Sequence, residues 1–231
     1  RGLYGQLRFS IPLGEISGQF VGLFHHFDLS NPGIETIFTL YDINALCQHL
    51  SAPGGDSCDF TITVMTQPWF SHICRYIPNL NYMKLGIRND CVYLPASHPL
   101  AQADAQTLTL KDFRDETFFV LKDFEVDVDN GPTVKTFAKH GFKPHLKSAD
   151  SISELIINVE QNKGICIGSS RLLLRDNPHF VKKYLPELWQ HTEVLLWSED
   201  NTNPCIRPFI VSATQYLASR PELLERDPFV P

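Results

Sequence analysis

YLPASHPLAQADAQTLTLKDFRDETFF, residues 93–119, is the stretch that says most about how this chain folds. It begins with the end of an apolar strand and turns at His98 and Pro99. An amphipathic segment at residues 108–113 predicts a short helix, which leads directly into a second apolar strand at 118–121. A strand, a turn, a short helix and a strand in this order indicate the opening of an α/β subdomain.

Strands and helices alternate on both sides of this stretch. Apolar residues recur at helical spacing in residues 18–28, and the sequence Ser-Asn-Pro-Gly at 30–33 predicts the end of that helix. Later, Gly131 and Pro132 predict a helix start and Gly141 predicts its end. We expect strands at residues 7–12, 34–41, 59–65, 91–94, 118–121, 146–149, 164–168 and 194–197, and helices at 18–28, 44–50, 131–140, 151–161 and 204–217.

This order predicts an α/β fold of two Rossmann-like subdomains joined by two crossover strands, near residues 85–90 and 185–192. The final strand and helix follow a complete second unit, so we expect them to return to the first. The first subdomain would then comprise residues 1–87 plus 188–231, and the second would comprise 88–187. This layout resembles that of periplasmic binding proteins and predicts a ligand cleft between the subdomains.

Composition and charge exclude several classes of protein. Of the 231 residues, 43% are hydrophobic and 20% are charged, which is typical of a soluble globular protein. No apolar run reaches the roughly 18 residues that a membrane span requires, and the first residues lack the apolar core of a signal peptide. The net charge is −6 without a basic stripe, so we expect a cytoplasmic chain that binds no nucleic acid by itself.

No motif of catalysis or of metal binding stands out. The six cysteines form no CxxC pair and have no histidine at the spacing of a metal site. Cys91 and Cys166 lie within apolar strands and are expected to be buried thiols, with a redox-sensing pair as the alternative. The adjacent His25 and His26 diverge on a helix, and Ser97 does not sit in a G-x-S-x-G turn. We therefore expect no enzyme activity, no metal and no cofactor.

The stretch at 93–119 resembles the effector-binding domain of LysR-type transcriptional regulators. In that family the motif HPLA, a variable spacer and LxLxDLxDExF open the second subdomain. Further similarities follow in the family's order and cover nearly the whole chain. They lie at residues 7–11 (first strand), 31–34 (YPxV), 58–62 (LDLAI), 137–144 (FxxxGFxP), 158–167 (LVAAGxGIALLP) and 197–209 (WRxDNxxPxxxxF).

The resemblance implies a small-molecule sensor and not an enzyme. The family's winged helix-turn-helix is absent, so we expect a sensor domain whose full-length protein contacts DNA through a missing N-terminal part. Three features depart from the family, namely a longer segment at 51–57, the polar run at 160–163, and Ser169 where proline is usual. The alternative is a periplasmic-type solute-binding protein of a transporter, which shares the two-subdomain plan.

By resemblance, the effector contacts the loops after the first two strands and the opening of the second subdomain. Helix starts there would offer unpaired N–H groups and short polar side chains. Several of the polar residues have a plainer interpretation as helix caps, notably Ser17, Asn44 and Asn130, and Asp150 or Ser151 is expected to cap the helix at 151–161. The candidate ligand-binding residues are Leu13, Gly14, Glu15, Ile16, Ser17, Asp42, Ile43, Asn44, Lys122, Asp129, Asn130, Thr133 and Ser169.

The charge of this rim favours an effector that is not an anion. Lys122 is the one cation among six carboxylates, which are Glu15, Asp42, Asp123, Asp127, Asp129 and Asp150. Two like charges about 4 Å apart repel by roughly 4 kcal/mol at an effective dielectric near 20. A neutral, phenolic or amine-bearing effector is therefore expected.

The resemblance also implies a homodimer, possibly built into a tetramer. In the family, regulatory domains pair antiparallel through elements of the first subdomain. Here those elements would be the helix at 18–28 and the strand after residue 34. Because the same helix must also supply a core face, only part of its apolar surface is free for a partner. Replacing Val21 or Phe24 with glutamate is expected to weaken the dimer.

Overall fold

The computed structural model describes residues 3–12, 18–41, 58–65, 79–104, 106–121, 131–169 and 177–225. The chain divides into two compact units. The first contains the described residues up to Arg88 and those from Gln190 onward, and the second contains Asn89 to Trp189. The predicted helix at 44–50 and the long segment at 51–57 lie outside the described residues.

The first unit is a mixed sheet with helices. Its strands are β1 (Gly5–Pro12), β2 (Ile34–Tyr41), β3 (Phe60–Met65), the first part of β4 (Leu80–Pro95) and β9 (Gln190–Ser198), and its helices are α1 (Gly18–Ser30), α4 (Ile206–Ala218) and α5 (Glu222–Glu225). β1 lies between β2 and β3 and runs parallel to both, whereas β9 runs antiparallel to β3. β4 follows next to β9 in the strand order.

Aromatic rings form the core of the first unit. Phe9 of β1 is fully buried, and its ring centroid lies 5.1 Å from that of Phe60 and 4.8 Å from that of Phe209. Phe27 of α1 reaches the same ring of α4 at 5.0 Å. Phe20 and Leu23 are also buried, as their helical spacing predicts. The rings are offset or tilted, a geometry that favours aromatic pairs beyond the area they bury.

The second unit contains three parallel strands. Its strands are the rest of β4, β5 (Thr117–Leu121), β6 (His145–Ala149), β7 (Ile165–Ser169) and β8 (Phe180–Lys183), and its helices are α2 (Pro132–Lys139) and α3 (Ile152–Glu160). β5 lies between β6 and β7 and is parallel to both. β4 runs antiparallel to β7 and to β8. The chain therefore crosses between the two units once within β4 and once immediately before β9.

Residues of the motif at 93–119 make hydrogen bonds that hold the motif within the second unit. His98 is 8% exposed, and its Nδ1 accepts a hydrogen bond from the Leu100 N–H at 3.1 Å, which caps a 3-10 helix at Pro99–Gln102. Since Nδ1 accepts, Nε2 carries the proton and donates to the Glu116 carboxylate, also at 3.1 Å. The predicted helix at 108–113 is a second 3-10 helix, Leu110–Phe113, whose first N–H donates to Glu187.

Two further details of the elements match or extend the expectation. α2 ends before Gly141, whose φ of 88° lies in the left-handed region that favours glycine. β4 is much longer than the four residues expected, and β8 was not expected at all. Among the described residues, no helix combines the length and apolarity that crossing a membrane requires.

Candidate functional site

The carboxyl ends of three parallel strands define one edge of the second unit. β5 ends at Leu121, β6 at Ala149 and β7 at Ser169, and all three strands point the same way. α2 and α3 each follow such a strand end and run back along the sheet, so their N-termini begin at this edge. In open α/β sheets, ligands bind at the carboxyl ends of the strands. The edge is therefore the candidate functional site of this unit.

The two helices that begin at this edge are capped differently. The N-terminus of α3 is capped by side chains. Ser151 Oγ accepts a hydrogen bond from the Glu154 N–H at 3.1 Å, and Glu154 Oε2 accepts one from the Asp150 N–H at 2.8 Å. Of the two expected caps, Ser151 is the one that the structure uses. The N-cap residue of α2 is Gly131, which has no side chain that could accept an N–H of the first turn. The positive end of the α2 dipole thus lies at the site without a capping oxygen from its own N-cap residue.

Thr133 and Ser169 are the two predicted site residues that the structure describes. Thr133 lies in the first turn of α2 and is 7% exposed, and Ser169 ends β7 and is 5% exposed. Both lie at the carboxyl edge of the parallel strands. Their burial leaves little of either side chain at the surface.

Tyr93 holds the end of β7 in place. It is completely buried in β4, and its hydroxyl donates a hydrogen bond of 2.7 Å to the backbone carbonyl of Ser169. The strand register sets Tyr93 opposite Cys166 and Cys91 opposite Gly168. Ser169 therefore lies three residues further along β7 than Cys166, the residue opposite Tyr93.

Sequence reasoning missed this role of Tyr93. Two signals were available, namely a tyrosine within the apolar strand at 91–94 and Ser169 at a position where proline is usual in the resembled family. Neither signal connects the two residues, because the three-residue offset between them depends on the register of β4 and β7.

Burial raises the pKa of the polar groups around Tyr93. The pKa of the Tyr93 phenol is raised chiefly by desolvation, so the hydroxyl stays protonated and remains a donor. Desolvation also raises the pKa of Cys91, whose thiol is hydrogen-bonded to Tyr93, and raises the pKa of Cys166 to about 12. Both buried cysteines are therefore neutral thiols at physiological pH, the form that reacts slowly with oxidants and electrophiles.

The remaining predicted site residues lie outside the described residues. In the first unit, β1 ends at Pro12 and β2 at Tyr41, at one edge of the sheet because these strands are parallel and in register. The predicted contacts follow these two ends, and one more group follows the end of β5. They are Leu13, Gly14, Glu15, Ile16, Ser17, Asp42, Ile43, Asn44, Lys122, Asp129 and Asn130.

The described part of the chain holds no candidate metal site. There, no three or more histidine, cysteine, aspartate or glutamate side chains come together in a way that could hold a metal ion. Thr133 and Ser169 carry hydroxyl groups, which can both donate and accept hydrogen bonds.

Two α/β units joined by two crossings, with parallel strands ending at a polar edge, define the class of periplasmic-binding-protein-like sensor domains. The family model described as the LysR substrate binding domain matches residues 5–218. The chain therefore belongs to the LysR substrate-binding family. As such it is an effector-sensing domain of a LysR-type transcriptional regulator, and the alternative of a transporter's solute-binding protein is not supported.

Solved structures of the same fold include known effector domains. The BenM effector binding domain with its effector benzoate has a TM-score of 0.72 and 15% identity over 97% of this chain and 96% of that chain. The effector binding domain of QuiR in complex with shikimate has a TM-score of 0.72 and 15% identity over 94% and 99%. HinK of Pseudomonas aeruginosa, a LysR family transcriptional regulator, has a TM-score of 0.70 and 18% identity over 94% of this chain and 71% of that chain. No curated protein matches this chain.

Proposed function

We propose that the effector of this domain binds at the carboxyl ends of the parallel strands, where the α2 start and the end of β7 lie. The observation that carries the proposal is that Thr133 and Ser169, from separate elements, occur at this one edge. The predicted residues after β1, β2 and β5 would complete the site. Ser169, whose carbonyl is fixed by Tyr93, would supply a rigid side of it.

We further propose a neutral, phenolic or amine-bearing effector. The six carboxylates that the sequence provides around the predicted contacts, against the single Lys122, would oppose an anion. The effectors named for the BenM and QuiR domains, benzoate and shikimate, are carboxylates. At 15% identity the likeness to these structures concerns the fold, so the effector of this chain follows from its own charges.

In the full-length protein we propose a cytoplasmic homodimer that binds DNA through a domain outside this chain. Effector binding would alter the geometry of the oligomer and with it the spacing of the DNA-binding domains. The exposed apolar side chains of α1 and β2 support a partner surface in the first unit, since Val21 is 58% exposed and Leu40 is also 58% exposed.

The proposal is tested by thermal unfolding of the domain with a panel of compounds. The panel contains benzoate, shikimate, succinate, phenol, catechol, tyramine and putrescine. A ligand at about 100 times its dissociation constant stabilises the fold by roughly 2.7 kcal/mol, which raises the melting temperature by a few degrees in a chain of this size. We expect shifts from phenols or amines and none from succinate.

Alanine variants at two predicted contacts and at one control position locate the site. Ser17→Ala or Asn130→Ala is expected to remove the shift produced by the active compound, whereas Ser153→Ala on the outer face of α3 leaves it unchanged. A tight response to succinate without any response to phenols or amines would refute the proposed effector class. A shift that survives in the two site variants would refute the proposed contacts.

A further inference from the structure

The sheet of the first unit also has an edge at which parallel strands end. β1 lies between β2 and β3 and runs parallel to both. Pro12 and Tyr41, the last residues of β1 and β2, are paired with each other. Ser10 of β1 is paired with Thr61 of β3, so two residues further along each strand Thr63 is level with Pro12. Thr63 therefore lies at the carboxyl edge of this sheet.

The side chain of Thr63 is on the face of the sheet opposite the aromatic core. Successive side chains of a strand point to opposite faces, and Phe60 and Ile62 of β3 belong to the core cluster that contains Phe9. Thr61 and Thr63 consequently share the other face. Both are buried there, and Thr63 is 0% exposed. A hydroxyl that is removed from water in this way is favourable only if it makes a hydrogen bond.

Thr63 differs from the neighbouring hydroxyls of this face in its hydrogen bonding. Ser10 Oγ lies 3.2 Å from Thr39 Oγ1, and Thr61 Oγ1 lies 3.3 Å from Cys58 Sγ. In the part of the chain that the structure describes, Thr63 Oγ1 is buried and has no hydrogen-bond partner. Because native proteins pair the large majority of their buried polar atoms, an unpaired hydroxyl at a strand edge points to a partner from outside the fold.

We propose that Thr63 Oγ1 accepts a hydrogen bond from the effector and thereby selects compounds that carry a hydroxyl or an amine. This inference rests on the effector class proposed above and adds a contact in the first unit. The bond forms only in the complex, since the hydroxyl has no partner before binding. A compound of similar shape without an O–H or N–H group forgoes this bond, so Thr63 discriminates between the two.

The position of Thr63 suits a contact with the effector. The predicted contacts at residues 13–17 follow the end of β1 and those at 42–44 follow the end of β2, and both strands end at the edge that Thr63 shares. In open α/β sheets, ligands bind at the carboxyl ends of the strands. The sequence Thr-Ile-Thr at 61–63 alternates like any half-buried strand, so the difference between its two threonines is visible only in the structure.

The first measurement needs no ligand. Thr63→Val keeps nearly the shape of the side chain and its preference for a strand, and it removes the hydroxyl. Because no bond within the protein is lost, the melting temperature should equal or exceed that of the wild type. Tyr93→Phe, which removes the donor of a buried hydrogen bond, is the comparison. A fall in Thr63→Val as large as that in Tyr93→Phe would show that the protein itself uses the hydroxyl, and would overturn the proposal.

The second measurement is calorimetric titration of the intact domain with catechol, tyramine and putrescine as separate probes. For the probe that the wild type binds most tightly, Thr63→Val should raise the dissociation constant at least tenfold. Thr63→Ser, which keeps a hydroxyl, should bind within threefold of the wild type. Ser212→Ala is the matched control and should change the dissociation constant less than twofold. The Ser212 hydroxyl is also buried without a partner among the described residues, but it lies within α4.

The outcomes separate this inference from the proposed function. Unchanged binding in Thr63→Val, or an equal loss in Thr63→Ser, would overturn the contact and leave the effector class standing. An equal loss in Ser212→Ala would show that binding responds to any buried substitution, and would also overturn the contact. If none of the three compounds binds the wild-type protein, the effector class fails and the contact fails with it. Circular dichroism establishes that the variants are folded.

Discussion

Tyr93 places its hydroxyl inside the core of the second unit. A buried hydroxyl is tolerated there only if it donates a hydrogen bond to an acceptor. The acceptor is the Ser169 carbonyl, and the bond of 2.7 Å satisfies two groups that are both buried. A buried hydrogen bond contributes modestly to stability, but the loss of one partner is costly because the other remains unpaired. The tyrosine therefore fixes the strand end at the proposed effector site.

Tyr93→Phe tests this arrangement. The variant keeps the ring and removes the hydroxyl, so the buried Ser169 carbonyl loses the hydrogen bond from Tyr93 and the free energy of unfolding should fall by about 1–3 kcal/mol. Urea unfolding measures the change. Tyr4→Phe is the matched control because Tyr4 is 80% exposed, and a change there should stay within about 0.5 kcal/mol. Equal stabilities of the wild-type and Tyr93→Phe proteins would contradict the assigned role.

Individual site residues were harder to foresee than the residues that form the core. Helical periodicity predicts that Phe20, Leu23 and Phe27 are buried, since burial follows from spacing alone. The link from Tyr93 to Ser169 depends on strand register, which a single sequence does not encode locally. Thr133 and Ser169 were proposed through family resemblance, and they stay predictions like the other predicted contacts.

At the scale of elements, the two helices at the proposed site differ in how their N-termini are capped, because Ser151 caps α3 with its side chain and the N-cap residue of α2 is a glycine. Ser151→Ala removes the side chain that accepts the Glu154 N–H, and it should lower the free energy of unfolding by about 1 kcal/mol. Ser153→Ala, two residues away inside the same helix, should have little effect or stabilise slightly because alanine favours helix interiors. Thermal and urea unfolding of both variants provide the comparison. A larger loss in Ser153→Ala than in Ser151→Ala would show that the cap is unimportant.

Elements whose apolar residues recur with a clear helix or strand period were predicted with bounds within a few residues of the observed ones. Elements without such a period were not. β2 spans Ile34–Tyr41 as expected, because turn residues mark its start. β4 extends back to Leu80 through a stretch in which polar residues such as the exposed Lys84 and the half-buried Asn89 are mixed with apolar ones, so its sequence does not show a strand pattern. β8 is four residues long and contains two lysines, so nothing in its composition indicates a strand. Both depend on pairing partners distant in the sequence.

At the scale of the whole molecule, the proposed dimer makes the sharpest prediction. Val21 is 58% exposed on α1, so Val21→Glu should weaken self-association without harming the fold. Ile157→Glu is the matched control because Ile157 is 51% exposed on a helix of the other unit. Sedimentation velocity over a range of concentrations measures both. An unchanged dimer in Val21→Glu would refute the proposed interface.

Phe24 is unsuited to the same test, although both positions were expected to serve. Its ring lies 4.8 Å from that of Phe9 and 4.7 Å from that of Phe38, so it packs against the core and against the edge strand β2. A glutamate there would place a charge among aromatic rings and destabilise the first unit. Loss of the dimer in Phe24→Glu would then report misfolding.

The path of the chain has a consequence for its synthesis. β3 needs β9 as a neighbour, yet β9 begins at Gln190, 125 residues after β3 ends at Met65. At translation rates of about 5–20 residues per second, β9 emerges from the ribosome roughly 6–25 seconds after β3. The second unit is continuous in sequence and can fold within that interval. Until α4 has also been synthesised, Phe9 and Phe60 of the first unit lack the Phe209 ring that packs against them in the folded protein, so this aromatic core is completed last.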